Sequence, residues 1–599
     1  MYWPMLRFCI SIFLVALATS VLAGPVITVG DVYGGDTDCD YEYQNLQGAI
    51  DEAIGMGPGE EVVIRLAVPN GFSTFGRYIT NPPRDIHIQG GYQACGDENP
   101  DLSLPTHIRL PDVSGARLFS ISANSGSQQR VITFDRLILD GQENDNGIDD
   151  GGLIHAAGPI ELVIYSSTLE GGRVSAIDSG NARGGAVYLG AEARLKTVRR
   201  TRIRNNWAGA GGALFCDEDA EVILGSNDIR DNMAGSGGAI YLALGCHKLE
   251  LINASSPFSP RHRLIGNAAS FAGGAIFSLG VDITTGNPDQ LAFRHLQLSG
   301  NSAEMGGGIF MTGDPDNPAQ LDLADTLFSS NSAEAVGGAL YLSQGVEARI
   351  RQFSPRDPGC PNSAGMSCTW FWKNSADALG DDHGGGVAYL DNGANGLPRL
   401  ILERVHLEDS ASDGMSAIVH QTAESSLVIH NSLISDRTGG GADYLFTADN
   451  ADSLILMYNT IADINGSAGI RTEGAMDVHV TGSLYWNGNE ALWTDAGGQA
   501  SLHHGDCLLT STTANLPDPG ALITDNPKLN SAYFLSGDSP AVNVCDDRSQ
   551  ELLPDGAMNV DIKFEPRDTN PFDSPEQFGP LDLGAAALLA ELFKDRFEQ

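Results

Sequence analysis

Three adjacent polar residues, Asp381-Asp382-His383, combine two carboxylates with an imidazole. These groups can donate and accept protons, so the trio is a candidate for acid–base catalysis on a polysaccharide. Neighbouring side chains of an extended strand point to opposite faces, however, so Asp381 and Asp382 are not expected to act as a pair. A solvated turn beside Gly384 is the alternative. We favour it, because the sequence contains no acid, base and cation that converge on one place.

A second acidic segment surrounds Gly147. Calcium binds carboxylate and amide oxygens, so Asp145, Asp149 and Asp150 are candidate calcium ligands. The strict spacing of a calcium loop is not met, because Gln142 falls at the position of the first ligand. A polar turn is the alternative. No other cofactor is expected.

Basic residues concentrate in one segment of an otherwise acidic chain, in which 35 Lys and Arg face 76 Asp and Glu, for a formal net charge of −41. Strand alternation would place Arg200, Arg202 and Arg204 on one face and the intervening residues on the other. Guanidinium groups bind acidic oxygens well, so this face is a candidate contact for an anionic glycan. Pairing with acids on neighbouring strands is the simpler alternative. The net charge disfavours nucleic acid as a partner.

The cysteines other than Cys9 form an even set of eight. In an oxidising compartment such a set indicates disulfides. The expected pairs are Cys39–Cys95, Cys216–Cys246, Cys360–Cys368 and Cys507–Cys545. A zinc site is the competing interpretation, but the sequence has no CxxC motif and no close Cys/His spacing.

A repeated sequence motif sets the spacing of the structural units that carry these residues. Two glycines are followed by small and hydrophobic residues and often by an aromatic one, with pairs that begin at Gly184, Gly211, Gly237, Gly273, Gly307, Gly337 and Gly385. An asparagine precedes most pairs by five or six residues, at Asn206, Asn232, Asn267, Asn301 and Asn331. A variable period near 30 residues predicts one supersecondary unit per repeat, with insertions in the loops.

Short alternating runs such as Leu427-Val428-Ile429 predict strands. Stacked repeats of such strands predict an all-β fold, a right-handed parallel β-helix of about eighteen coils whose asparagines form a ladder inside one turn. Cys216 and Cys246 end equivalent strands of neighbouring repeats, so we expect them one coil apart and within bridging distance. Helical spacing over Leu46–Ile54 predicts a short helix that caps the first coil.

The N-terminus has the pattern of a secretory signal. Arg7 precedes the apolar stretch Ile10–Ala18, and small residues end at Ala23 before Gly24. We expect a secreted or cell-surface protein with no transmembrane segment in the mature chain. The expected division is 1–23 signal peptide, 24–130 N-terminal cap and first coils, 131–500 β-helix repeats, and 501–599 C-terminal coils, cap and candidate sorting tail.

The asparagine and Gly-Gly-Ala-hydrophobic-aromatic phrase resembles the repeats of chlamydial-type polymorphic outer-membrane proteins and of the wider pectate-lyase-like β-helix superfamily. The C-terminal segment resembles the end of choice-of-anchor Q proteins, through Asp525–Leu529, Ser539–Asn543, Arg567 and Leu581–Ala585. Two positions depart from that pattern: Asn543 stands where an Asp is usual, and Ala586-Ala587 replaces an acidic or aromatic ending. The resemblance implies export and a β-helix but no activity, because the superfamily contains lyases, hydrolases and adhesins.

The leading functional expectation is a non-enzymatic, exported protein that contacts an extracellular polysaccharide or a host or neighbouring cell surface. Uniform repeats and modest insertions support this expectation, because enzymes of such folds build walls from long loops. The alternative is a polysaccharide lyase or glycoside hydrolase that acts on an acidic polysaccharide.

Overall fold

The computed structural model describes residues 24–529 and Ser539. Internal gaps fall at 32–37, 102, 113–115, 144–147, 175–181, 253–261, 286–295, 315–317, 353–368, 378–383, 394–395, 414–415, 437–442, 465–466, 487–489, 505–507, 513–515, 517–521 and 524–525. The expected signal peptide and nearly all of 530–599 therefore lie outside the described residues, and the division into domains stays a prediction.

Short parallel strands stack into four sheets, which we name A to D, with 17, 16, 14 and 6 described strands. Sheet A contains Val26–Gly30, Tyr41–Glu42, Val62–Ala67, Ile86–Gln89, Arg130–Asp135, Ile160–Tyr165, Arg194–Val198, Glu221–Gly225, Lys248–Ile252, Asp282–Thr284, Ala319–Ala324, Val346–Arg351, Arg399–Glu403, Ser426–His430, Ser453–Met457, Asp477–Thr481 and Ser501–His503. Sheet B contains Phe72–Ser73, Thr106–Arg109, Leu137–Asp140, Thr168–Glu170, Thr201–Arg204, Asn227–Arg230, His262–Ile265, Leu296–Ser299, Thr326–Ser329, Trp370–Trp372, His406–Glu408, Leu433–Asp436, Thr460–Ile464, Ser483–Trp486, Leu508–Thr510 and Leu522–Ile523.

Sheet C contains Arg77–Thr80, Phe119–Ser122, Ile154–Ala157, Val187–Leu189, Leu214–Cys216, Ile240–Leu242, Ile276–Leu279, Ile309–Thr312, Leu340–Ser343, Ala388–Asp391, Ser416–Gln421, Tyr444–Asp449, Ala468–Glu473 and Trp493–Asp495. Sheet D contains Met233–Ser236, Ala268–Ala272, Ser302–Met305, Ser332–Val336, Ser375–Ala376 and Ala411–Ser412. A complete coil passes through A, B and C, and six of the coils add a strand of D between B and C.

Along each strand, inward apolar side chains alternate with outward side chains. The inward side chains form one hydrophobic core that runs the length of the β-helix. In sheet B, Ile203 is in register with Ile229, which is in register with Leu264. All three side chains are at most 1% exposed, because they point inward on successive coils. The predicted all-β, right-handed parallel β-helix is confirmed.

Each of the two positions of a glycine pair requires glycine for a different steric reason. Gly273 has φ of +67°, a conformation that side chains with a Cβ rarely adopt. A Cβ on Gly274 would lie 2.7 Å from both the backbone nitrogen and the backbone oxygen of Ser302 on the next coil. The first glycine therefore allows the turn, and the second lets two coils approach each other.

The asparagines form the predicted ladder between sheets B and C. Each side-chain amide donates to the side-chain oxygen of the asparagine one coil further on, at 2.9–3.0 Å, along Asn206, Asn232, Asn267, Asn301, Asn331 and Asn374. Sequence spacing identified the first five but not Asn374, because an insertion separates that residue from the glycine pair at Gly385.

The predicted N-terminal cap is an α-helix, α1 (Leu46–Gly55), preceded by a short 3₁₀ helix at Tyr43–Asn45. It packs against the strands Val26–Gly30 and Arg77–Thr80. Four of its apolar side chains are fully buried, at Leu46, Ala49, Ile50 and Ala53. No helix of the described part of the chain is long and apolar enough to cross a membrane.

Two of the four expected disulfides are confirmed. Cys39 is bonded to Cys95, next to the N-terminal cap. Cys216 is bonded to Cys246, with Cα atoms 5.8 Å apart on neighbouring coils, as the repeat predicts. The other four cysteines, Cys360, Cys368, Cys507 and Cys545, lie outside the described residues.

Candidate functional site

The outer face of sheet B consists of two columns of side chains that run along the helix axis. One column contains, in register, Arg202, Asp228, Arg263, Gln297, Leu327 and Trp370. The other contains Arg204, Arg230, Ile265, Ser299, Ser329 and Trp372. Because neighbouring strands are about 4.8 Å apart, residues distant in sequence form one continuous surface.

Five arginines on or beside this face form what we call the arginine patch: Arg200, Arg202, Arg204, Arg230 and Arg263. Two of them have acidic partners. Both Nε and Nη2 of Arg204 lie 2.7 Å from a Glu170 oxygen, and Arg230 Nη2 lies 2.5 Å from Asp228 Oδ2. For Arg204, the simpler alternative from the sequence therefore holds: it pairs with an acid on a neighbouring strand.

Arg202 and Arg263 differ from these paired arginines. Both are exposed, and neither forms an ion pair with another described residue. They lie two coils apart in the same column, with Asp228 between them. The carboxylate of Asp228 is bonded to Arg230, which leaves two guanidinium groups directed into solvent.

Arg200 does not share the face of Arg202 and Arg204 in the simple way that alternation predicts. Arg199 and Arg200 both have left-handed backbone conformations, with φ of +46° and +54°. They form the corner between the sheet A strand Arg194–Val198 and the sheet B strand Thr201–Arg204. Alternation therefore begins only at Thr201, and Arg200 is exposed at the edge of the patch.

Two tryptophans lie further along the same face and were not identified from sequence. The ring centroids of Trp370 and Trp372 are 5.4 Å apart, and Trp370 stacks on His406 at 5.6 Å. The ammonium of Lys373 lies 4.7 Å from the ring centroid of Trp372. The Trp-Phe-Trp alternation was a signal for this pair, since it places two indoles outward and Phe371 inward.

A cluster of potential metal ligands, His107, Asp140 and Glu170, lies on the same sheet, with ligand atoms within 4.8 Å of one another. Arg109 Nη2 donates to His107 Nδ1 at 2.8 Å, so Nδ1 accepts and the ring proton is on Nε2. Nε2 then donates to Asp140 Oδ2 at 3.0 Å. Glu170 is bonded to Arg204. All three groups already have partners, so the cluster fits an ion network better than a metal site.

The structure describes two of the three candidate calcium ligands. Asp145 lies outside the described residues, and Asp149 is exposed. Arg183 binds both oxygens of Asp150, with Nε to Oδ1 at 2.7 Å and Nη2 to Oδ2 at 3.0 Å. A calcium ion that used Asp150 would have to compete with this guanidinium.

The catalytic candidates Asp381, Asp382 and His383 lie outside the described residues. Two residues further on, the N–H of Gly385 donates to the carbonyl of Ser416 at 2.9 Å. On the next described strands, Thr447 Oγ1 lies 2.6 Å from His420 Nδ1 and donates to Ser416 Oγ at 3.1 Å. Thr447 is fully buried, so its hydroxyl cannot reach a polysaccharide.

Sheet C carries a stack of nine rings on its outer face. Successive centroids are 4.6–5.7 Å apart along His155, Tyr188, Phe215, Tyr241, Phe277, Phe310, Tyr341, Tyr389 and His420. Burial, helped by a hydrogen bond of 2.5 Å to Asp391, raises the pKa of Tyr341. The faces of the inner rings are covered by their neighbours, so this stack stabilises the coils and offers sugars only ring edges.

A polar recess of about 450 Å³ lies beside sheet A, lined by Ser127, Gln129, Pro159, Glu192, Ala193, Arg194, Asp219, Glu221 and His247. Glu221 is bonded to Arg194 and lies 3.1 Å from Lys248 Nζ. Two cations therefore hold Glu221, whereas Glu192 accepts a hydrogen bond from the Ser125 hydroxyl and Asp219 Oδ1 lies 3.9 Å from His247 Nε2.

Comparisons of the chain with family models, curated proteins and solved structures give no match.

Proposed function

We propose that this chain is an exported, non-enzymatic β-helix protein of the bacterial surface or medium that adheres to surfaces or contacts glycans. The observation that carries the proposal is the arginine patch, which is a local concentration of positive charge on a chain of net charge −41. Exposed guanidinium groups on a rigid sheet suit the recognition of acidic groups on a polysaccharide or a cell surface. Membership of the pectate-lyase-like superfamily, with a C-terminal end of the choice-of-anchor Q type, is part of the same proposal.

The alternative is a polysaccharide lyase or glycoside hydrolase. It needs an acid and a base within reach of one sugar linkage, and a lyase also needs a cation at the uronate carboxylate. Among the described residues, three acids that were weighed for such roles, Asp150, Glu170 and Glu221, are tied into ion pairs. This arrangement supports the binding proposal over the enzyme.

One experiment separates the two. Purified Gly24–Gln599 is incubated with pectin, alginate, glycosaminoglycans and neutral glucans, with and without calcium, and both retained polysaccharide and new reducing ends are measured. We expect retention of an acidic polysaccharide without new reducing ends. Release of reducing ends that disappears in the Asp381→Ala, Asp382→Ala or His383→Ala variant would overturn the proposal in favour of the enzyme.

Export is tested separately. The full chain is expressed in a Gram-negative host, and its N-terminus is sequenced from the periplasm, the cell surface and the medium. The proposal expects a mature chain that begins at Gly24. An uncleaved chain confined to the cytoplasm would contradict it.

A further inference from the structure

We propose that Asp477, His479 and His503, on the outer face of sheet A, form a binding site for a divalent transition-metal ion of the zinc class. Two imidazoles and one carboxylate are the ligands. They belong to the neighbouring strands Asp477–Thr481 and Ser501–His503. The site goes beyond the proposed glycan contact and does not depend on it, because it lies on a different sheet from the arginine patch.

The two histidines are brought together by the register of the coils. His479 is paired with His503 across two strands that are about 4.8 Å apart. Their rings are stacked, with centroids 4.7 Å apart and planes at 18°. Stacking uses the faces of the rings, whereas an imidazole binds a metal through a nitrogen at the ring edge. Small rotations of the two side chains therefore direct both rings at one ion.

The contact between Asp477 and His503 has the spacing of two ligands of one metal ion. Asp477 Oδ1 lies 3.4 Å from His503 Nε2, which is longer than the usual hydrogen bond of about 2.7–3.2 Å. Zinc binds nitrogen and oxygen at about 2.0–2.2 Å, so two ligand atoms at a tetrahedral angle are about 3.4 Å apart. Both side chains are open to an ion from solvent, since His503 is 54% and Asp477 65% exposed.

The neighbouring positions of sheet A do not supply a competing positive charge. Ser453 and Ser501 are in register with Asp477 on its two sides, and Ile455 is in register with His479. None of these three neighbours is a cation. A metal ion at this place therefore has no guanidinium or ammonium to displace from them.

The other histidine–carboxylate cluster of the described residues differs in this respect. There Arg109 donates to His107, and Arg204 is bonded to Glu170. An ion at that cluster would have to displace two guanidinium groups. The comparison explains why the pair of histidines on sheet A is the better metal site.

The ligand types select the class of ion. Imidazole suits zinc, copper and nickel, whereas calcium and magnesium prefer sites made only of oxygen ligands. Three protein ligands on an exposed face leave a fourth position for water. A bound ion joins the last two described strands of sheet A, so it stabilises the folded state to which it binds.

The test measures zinc binding by the whole mature chain. Gly24–Gln599 without a histidine tag is stripped with EDTA, dialysed and titrated with zinc chloride by calorimetry. We expect one site per chain, and an affinity at least about tenfold lower in His479→Gln and in His503→Gln, because each removes a ligand. Asp477→Asn should also weaken binding, since it removes the charge of the third ligand.

Two further readouts separate ligation from a general effect on the fold. X-ray absorption at the zinc edge should show two imidazole ligands in the parent. Zinc should raise the urea midpoint of the parent and not that of His503→Gln. The matched control is His247→Gln, which removes another exposed histidine beside an acid, Asp219, and should bind zinc like the parent.

The contrary results are distinct. A parent that binds no zinc would overturn the inference. Equal zinc affinities of the parent and His503→Gln would also overturn it, because the ion would then lie elsewhere on the chain. If calcium binds more tightly than zinc and is lost in the same variants, the assigned class of ion is wrong.

Discussion

The side-chain amide of Asn301 donates a hydrogen bond of 2.9 Å to the side-chain oxygen of Asn331, which lies 30 residues later but only one coil away. The same amide donates to the carbonyl of Leu264 at 2.9 Å. The oxygen of Asn301 accepts from the backbone N–H and the amide of Asn267, both at 3.0 Å. Each asparagine thus joins neighbouring coils and satisfies backbone groups that would otherwise be buried without partners.

Replacement of Asn301 should therefore destabilise the helix strongly. In Asn301→Ala, the carbonyl of Leu264 and the N–H of Asn267 lose buried partners, and each loss costs about 1–3 kcal/mol. We expect the free energy of unfolding in urea to fall by about 2–4 kcal/mol. The exposed turn residue Asn70, changed to Ala, is the control. Equal unfolding midpoints for the two variants would show that the ladder contributes little.

A methyl group at the second glycine of a pair should not be tolerated. In Gly274→Ala, the new Cβ would lie 2.7 Å from the backbone of Ser302, which cannot move without separating two coils. We expect a loss of about 2–3 kcal/mol, measured by urea unfolding. Gly96→Ala is the matched control, because a Cβ there meets nothing within 4 Å. A Gly274→Ala protein as stable as Gly96→Ala would contradict the steric explanation of the repeat.

His262 should make stability depend on pH. Burial lowers its pKa to about 4, although a hydrogen bond of 2.8 Å to the carbonyl of Ile252 acts in the opposite direction. Between pH 6.5 and about 4, the unfolded state therefore binds a proton that the folded state refuses. The stability contribution is present above pH 6.5 and is lost as the pH falls, by about 3 kcal/mol once pH 4 is passed.

The measurement is the urea midpoint of parent and His262→Gln proteins from pH 7.5 to 4. The variant should lose less stability on acidification than the parent, because one buried imidazole no longer titrates. His247→Gln changes an exposed histidine and should follow the parent curve. Parallel curves for parent and His262→Gln would refute the prediction.

Glu403 should be essential at the corner between sheets A and B, because its carboxylate compensates the positive charges of nearby arginines. Its side chain is only 3% exposed, and its oxygens bind Arg404 and, at 2.7 Å, Arg349. Burial acts to raise its pKa, but the charges of Arg404, His430 and Arg349 outweigh burial and hold the pKa below its usual range. The folded protein therefore favours the charged carboxylate, and this contribution to stability is present above the unfolded-state pKa and is lost as the pH falls through the lowered pKa.

Glu403→Gln keeps the shape of the side chain but leaves buried positive charge without compensation. We expect a loss of about 3–5 kcal/mol at pH 7, measured by urea unfolding, and a smaller parent–variant difference in acid. Glu347→Gln, an exposed acid of the same sheet, should cost little. If both variants unfold at the same urea concentration, Glu403 does not hold this corner together.

Much of the candidate site could not be predicted from the order of residues in the sequence. Strand alternation placed Arg202 and Arg204 together because they belong to one strand. It misplaced Arg200, because left-handed residues at a corner interrupt the alternation. Arg263 and Trp370 join the same column only through the register of intervening coils, and loops of variable length hide that register from sequence spacing.

The amino-acid pattern alone was enough to predict the parallel β-helix, the asparagine ladder, the α1 cap and the Cys216–Cys246 disulfide. The helix, the ladder and the disulfide follow from the period of a repeated unit, and α1 follows from the helical spacing of its own apolar residues. Which charges are paired and which face solvent became evident only from the folded coils. Arg183 binds Asp150, Arg204 binds Glu170, and Arg202 remains exposed, because the distance between side chains on different coils depends on the exact register of the strands.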